Sequence, residues 1–255
     1  MSSADGIRAR LYLHAVLPAL AELHDLRADW RAATADWDWT VVMGVPGSWA
    51  TSIRFDHGRA TASPRVDHRA GTFRIWLASP GQVQALFTGK GLVVPLPWGH
   101  PFHAGRVRLF SSWAEEMGRL FKNKPGRDDP GREERARLLF RVLLRGAGVV
   151  GEDDDGMRGA VAAGPQGRVV FRVGKEPLGS VRLSAGGVET GTGLEADWQA
   201  RVTFADGDVL ARAVDEELDA LAAAGSGRMR VEGLAPLADM AGLVMERAGA
   251  YLRPA

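Results

Sequence analysis

SIRFDHG, residues 52–58, returns as SVRLSAG at residues 180–186, a displacement of 128 positions. In the first copy Ile53 and Phe55 alternate with Ser52, Arg54 and Asp56. That two-residue period belongs to a strand with one buried face, and the glycine that follows in each copy permits a tight turn. A second pair, FRIWLAS from Phe73 and ARVTFAD from Ala200, is displaced by 127, and both members run into a short helix. A third, GRVRL from Gly105 and GRMRV from Gly227, is displaced by 122, which implies that the second copy has lost about five residues from one loop. The closing helices are SSWAEEMGRLF and LAPLADMAGLVMERAGAYL. Ordered matches at a nearly constant displacement predict a duplicated α+β unit. Each copy has the ordinary size of a domain, ~100 to 130 residues.

Outward from these strands, Leu13, Val16, Leu17, Leu20, Leu23 and Trp30 recur at helical spacing and predict one amphipathic helix over residues 7–30, with Pro18 in a first turn or at a kink. TVVMGV and TFRIWLA read as further strands of the first copy, and GRVRLF as a strand before a helix from Ser112 to about Lys122. SPGQVQALFTG predicts a short helix capped by Ser79, with Pro80 at its first position and Val83, Leu86 and Phe87 buried. KNKPGRDDPGRE, charged and carrying two Pro-Gly pairs, reads as a linker. The helix REERARLLFRVLLRG follows, with Leu138, Leu139, Val142 and Leu143 on its apolar side and Gly146 and Gly148 ending it; GEDDDG then reads as a solvated turn. The expected division is 1–122 for the first unit, 123–149 for linker and connecting helix, and 150–255 for the second unit.

Composition excludes several chemistries. The 255 residues contain no cysteine, which removes disulfides, thiolate metal sites and cysteine nucleophiles. Net charge is +1, without the excess of positive charge usual in nucleic-acid binders, so no nucleic-acid partner is expected. Arg8, Arg10, His14, Glu22, His24 and Asp25 interrupt the most apolar early stretch, which is therefore neither a membrane span nor a signal core, and the expected location is the cytoplasm.

WATSIRFDHGRA, FRIWLASPGQVQALFTGKGLVVPLPWG and GRMRVEGLAPLADMAGLVMERAGAYLRP, with LHAVLPALAELHDLRADW in the first helix, carry a resemblance that covers most of the chain. The sequence resembles the sterol carrier protein type 2-like family, in a bacterial tandem form of two units. The resemblance implies the fold class α+β, each unit a mostly antiparallel five-stranded sheet covered on one face by helices, with an apolar tunnel between the layers. It also implies a non-catalytic carrier of lipids such as sterols, fatty acids or fatty acyl-CoA, with no cofactor and with transient membrane or protein partners. An accessory subunit that binds protein without a ligand, and an acyltransferase-related protein, are the competing readings.

No catalytic or metal-binding constellation stands beside this resemblance. GAGVVG has dinucleotide-loop spelling but follows a helix instead of a strand, so it reads as helix termination. His100 and His103 lack a completing ligand, and His14 and His24 are ten residues apart on one helix; all four read as loop or surface histidines. GxSxG is absent, Ser226 sits in a glycine turn, and pairs such as Asp36/Asp38 and Glu115/Glu116 read as solvated. The eight tryptophans read as an aromatic core in preference to a ligand wall. Side-chain size then places the tunnel: Phe73, Leu86 and Phe87 align with Ala200, Ala213 and Val214, so the second unit keeps the larger free volume. The expected lining is Val202, Phe204, Met229 and Val231 from strands, and Leu210, Ala213, Val214, Leu218, Met240 and Val244 from helices.

Overall fold

Alternation in the sequence becomes two mixed sheets in the computed structural model, which describes residues 3–66, 72–90, 93, 96–98, 104–121, 131–193 and 196–253. The chain divides into units Ala4–Asp129 and Pro130–Arg253. In the first, β1 (Asp38–Gly44), β2 (Ala50–Asp56), β3 (Arg59–Ser63), β4 (Thr72–Trp76) and β5 (Leu96–Trp98) stand in the order β3-β2-β1-β4-β5. In the second, β6 (Gly167–Val173), β7 (Glu176–Ser184), β8 (Gly187–Gly191), β9 (Ala200–Phe204) and β10 (Met229–Gly233) stand in the order β8-β7-β6-β9-β10. The strand order is the same. In each sheet the central pair, β1 with β4 and β6 with β9, is parallel and every other pair is antiparallel.

Register agrees as well as order. Val41 lies opposite Ile53 and Phe73, and Val169 opposite Val181 and Ala200; Ile53 faces Ala62 as Val181 faces Thr190. The first three strands are thus displaced by 128 residues and the fourth by 127, as the paired segments predict. The helices after the fourth strands start alike. Ser79 caps α4 (Pro80–Thr88) by accepting from the Gln82 N–H, and Asp206 caps α8 (Gly207–Val214) by accepting from the Val209 N–H at 2.9 Å.

The third sequence match is corrected. Gly105–Phe110 is helical, the opening of α5 (Ala104–Phe121), and the partner of β10 is β5. Val107, Phe110, Trp113, Met117 and Leu120 continue the segment at helical spacing, so the short alternation was part of a longer 3.6-residue pattern. Pro97 faces Ile75 and Val231 faces Val202; the displacement of the fifth strand is therefore 134, and the second unit has gained seven residues against the 127 of the fourth strand, not lost five. The short helix α9 (Ala220–Gly225) lies in this longer connection.

The helix predicted to stop at Gly146 runs through it. α6 spans Arg132–Asp153 and belongs to the second unit, where it packs on β7, β8, α8 and α10 (Ala235–Leu252) instead of connecting the units. None of its three glycines ends it, and Gly151 marks close approach: a Cβ there would fall 2.3 Å from Val188 Cγ2 on β8. GEDDDG is no solvated turn either. Asp154 is buried and caps α7 (Asp155–Ala163) through the N–H groups of Gly156 and Met157, while its other oxygen accepts from Arg247 at 2.8 Å and Tyr251 at 3.0 Å. The linker residues 122–130 lie outside the described residues.

The single N-terminal helix is resolved into α1 (Ala4–Leu11), a π-helical turn at Tyr12–Val16, α2 (Ala19–Leu26) and α3 (Ala28–Ala33). Pro18 lacks the N–H that a continuous helix needs, which places the irregular turn just before it. Leu13, Val16, Leu17, Leu20, Leu23 and Trp30 are all buried, as their spacing predicts; Leu86 on α4, by contrast, is 39% exposed. The tryptophans build the first core: Trp30, Trp37, Trp39 and Trp113 are buried with Phe55, and Trp30 stacks on Trp113 at 4.8 Å. His24 is enclosed among these rings and fully buried, which corrects its surface reading.

Two outcomes follow. Gly151→Ala should destabilise the second unit by about 1–3 kcal/mol in denaturant unfolding, because the added methyl overpacks the α6–β8 contact by more than the ~1 kcal/mol that alanine contributes in an open helix. A neutral or stabilising result would show that α6 does not approach β8 this closely. His24 supplies a pH test. Burial pushes its pKa down, and the hydrogen bond and charge of Asp25 only partly oppose this. Nδ1 lies 3.3 Å from Asp25 Oδ1 and Nε2 lies 2.8 Å from Thr34 Oγ1, whose hydroxyl donates to the Trp30 carbonyl at 3.1 Å. Below about pH 6.5 the unfolded chain takes up a proton that the folded ring resists, so stability is lost as pH falls from there toward the folded pKa. The melting temperature of the first unit should therefore drop between pH 7.5 and 5.5, and His24→Gln should flatten that drop even though it lowers stability at neutral pH. An unchanged slope in the variant would remove His24 as its cause.

Candidate functional site

Residues of β9 and β10 share a face through their pairing. Val202 lies opposite Val231 and Phe204 opposite Met229, so four expected lining residues form one apolar block on the helix-covered side. Val202, Phe204, Leu210 and Val244 are buried, whereas Ala213, Val214, Leu218, Met229 and Met240 are half-buried. Val231 is 39% exposed although it points to the same side as buried Val202. The helix layer therefore leaves the β10 edge uncovered. Leu221 on α9 and Leu234 just after β10 are also exposed, at 87% and 51%.

The layer above the sheet holds a residue that the sequence reading left out. Phe140 of α6 sets its ring edge-on to Phe171 at 5.2 Å and to Phe204 at 5.9 Å. Because α6 occupies this layer, side-chain size at matched strand positions does not measure free volume. Ala200, small where the first unit has Phe73, is completely buried. In the first unit Phe73 stacks on Trp39 and Phe87 on Tyr12, at 6.0 and 4.9 Å, while exposed Leu86 fills no interior. Met240 turns its methyl toward Gly164 at the end of α7, where an added Cβ would lie 2.9 Å from it. The RLLF segment carried the only sequence signal for Phe140, obscured because α6 was assigned to a connector.

Among the polar candidates, Gly146, Gly148 and Gly151 lie within α6, so no loop there presents amides to a phosphate. His100 and His103 lie outside the described residues. Among the described residues no group of three or more His, Asp or Glu is placed to hold a metal ion, and no helix is long and apolar enough to cross a membrane. The opposite face of the second sheet is different in kind. A groove of about 280 Å³ opens there, lined by Arg172, Arg201, Thr203, Arg230 and Glu232, with Gly174, Ala205 and Gly227 at one end. None of these residues entered the sequence-level site, because scattered arginines in an arginine-rich chain carry no local motif.

No protein-family model matches the chain, and no curated protein matches its sequence. Among solved structures it is similar to sterol carrier protein 2 from Yarrowia lipolytica in its apo form, at 17% identity and a TM-score of 0.32, over 40% of this chain and 90% of that one.

Proposed function

We propose that this chain binds and carries an apolar, lipid-like molecule in the cytoplasm without transforming it, with the site at the β10 edge of the helix-covered face of the second unit. The two units are taken as products of an internal duplication, which their common strand order and register support. The observation that carries the reading is Val231, a side chain on the apolar face of the sheet that is nonetheless 39% exposed. Half-buried Met229, Ala213, Val214 and Leu218, with exposed Leu221 and Leu234, supply further apolar surface to this unit. A flexible methionine suits a ligand of variable shape. Each methylene withdrawn from water contributes about 0.8 kcal/mol, so roughly ten of them give about 8 kcal/mol before ordering and association costs. That suffices for binding without any polar machinery.

A fluorescent fatty acid titrated into the protein tests the site. Val231→Asp should weaken binding at least about tenfold, because a carboxylate would be desolvated against the chain, while stability changes by no more than about 1 kcal/mol at so exposed a position. Ala213→Phe should also reduce uptake, by filling space beside the block. Failure of the native protein to bind the probe, together with no lipid retained in native mass spectrometry of protein from its own organism, would overturn the reading. Exposed Leu221, Val231 and Leu234 would equally suit a protein partner, and Val231→Asp releasing a co-purified protein instead of a lipid would select that alternative.

A further inference from the structure

The strands that turn Val202 and Phe204 toward the helices turn Arg201 and Thr203 to the other side. On that open face Arg172, Thr203 and Arg230 stand opposite one another on β6, β9 and β10, and Arg201 pairs in register with Glu232 two residues along. Strands lie about 4.8 Å apart, so Arg172 and Arg230 start about 10 Å from each other with Thr203 between them. Long guanidinium side chains converge readily on an ion seated above the threonine hydroxyl.

Charge in the groove is unbalanced. Its walls carry three guanidiniums and one carboxylate, a net charge of +2. The carboxylate is committed: Glu232 receives two hydrogen bonds from Arg201, from Nε and Nη2, both at 2.8 Å. Arg201 is held further by stacking 4.5 Å from the centre of the Trp198 ring. Neither Arg172 nor Arg230 forms an ion pair among the described residues. The Nε of Arg172 is buried without a hydrogen-bond partner, while its Nη2 donates to the Lys175 carbonyl at 2.8 Å, fixing the plane of the group. The half-buried, oriented guanidinium of Arg172 and the exposed one of Arg230 share with Arg201 the single carboxylate of Glu232, so an anion seated between them would meet uncompensated positive charge.

We infer that the open face of the second sheet is an anion-binding site for a phosphate group, held by Arg172 and Arg230 across Thr203, with Arg201 and Glu232 as its fixed wall. The guanidiniums of Arg172 and Arg230, neither of them in an ion pair among the described residues, match a doubly charged phosphate in charge and present donors that phosphate oxygens accept. The Thr203 hydroxyl supplies a further donor, and the glycines at the end of the groove leave room for the rest of a phosphate ester. This site lies on the face opposite the apolar block and does not depend on it.

Isothermal titration of the full chain with inorganic pyrophosphate tests the assignment, alongside sedimentation with phosphatidylcholine vesicles with and without phosphatidic acid. Pyrophosphate should bind with an affinity that falls as salt is raised, and Arg230→Gln and Arg172→Gln should each weaken it roughly tenfold or more. Glu232→Gln should tighten it, because the groove gains charge and Arg201 is released. Arg158→Gln, on α7, should leave it unchanged. Arg230 is exposed, so its variant reports on binding even if Arg172→Gln folds poorly. Binding of pyrophosphate without sedimentation on phosphatidic acid vesicles identifies a soluble phosphate compound as the source of the group; sedimentation that requires phosphatidic acid and is lost in Arg230→Gln, with or without pyrophosphate binding, identifies a lipid headgroup. Absence of both, or equal weakening by Arg158→Gln, overturns the site.

Discussion

Everything in the second unit depends on how closely α6 approaches its sheet. Gly151 lets the helix backbone reach Val188 on β8, and Phe140 fills the layer against Phe171 and Phe204. Glycine is a poor helix former, yet three lie in this helix without ending it. Packing gained by close approach outweighs the local cost. The same arrangement leaves cover short at the far edge, where Val231 on β10 faces the helix side and remains partly in water. Tight packing at one edge and an uncovered apolar strip at the other are two results of one helix position.

Strand alternation then gives the sheet two chemically opposite faces. Ala200, Val202 and Phe204 point to the helices, and Arg201 and Thr203 to the groove. A lipid-like ligand and a phosphate group would thus be served by different sides of one pair of strands. Hydrophobic burial needs little directional order, whereas anion recognition needs oriented donors; the Glu232 and Trp198 contacts to Arg201 supply that order on the polar side.

The first unit spends its aromatic residues differently. Trp30, Trp37, Trp39, Trp113 and Phe55 close around His24, whose two nitrogens are engaged by Asp25 and Thr34. Burial among the indoles disfavours the charged form of this ring, which ties the core to pH. The second unit, with the same strand order, is built around Phe140, Phe171 and Phe204; α6 and α7 precede its sheet as α1 to α3 precede the first, and the helix it adds is the short α9. Common topology therefore does not imply a common interior.

The correspondence of β2 with β7 and of β4 with β9 was legible in the sequence, because SIRF with SVRL and FRIW with ARVT preserve a two-residue period; the order and pairing of the strands came only from the structure. The caps at Ser79 and Asp206 stand at matching distances for the same local reason: a short polar side chain must meet the free N–H of the first helical turn. The fifth strand was not legible. GRVRLF alternates as a strand does, and only packing through Phe110, Trp113, Met117 and Leu120 makes it a helix. Nor could composition show that Gly151 is a contact position, since a glycine that ends a helix and one that admits a neighbour are the same residue in a sequence. Of the expected lining, the shared face of Val202 with Phe204 and of Met229 with Val231 followed from strand periodicity, but their pairing and covering did not, because Phe140 reaches Phe204 from 64 residues away in the chain. The groove of Arg172, Arg201 and Arg230 is likewise a product of three strands brought side by side. Local periodicity determined which side of each strand is apolar; tertiary packing alone decided what stands over it, because that depends on contacts between distant segments that leave no spacing in the sequence.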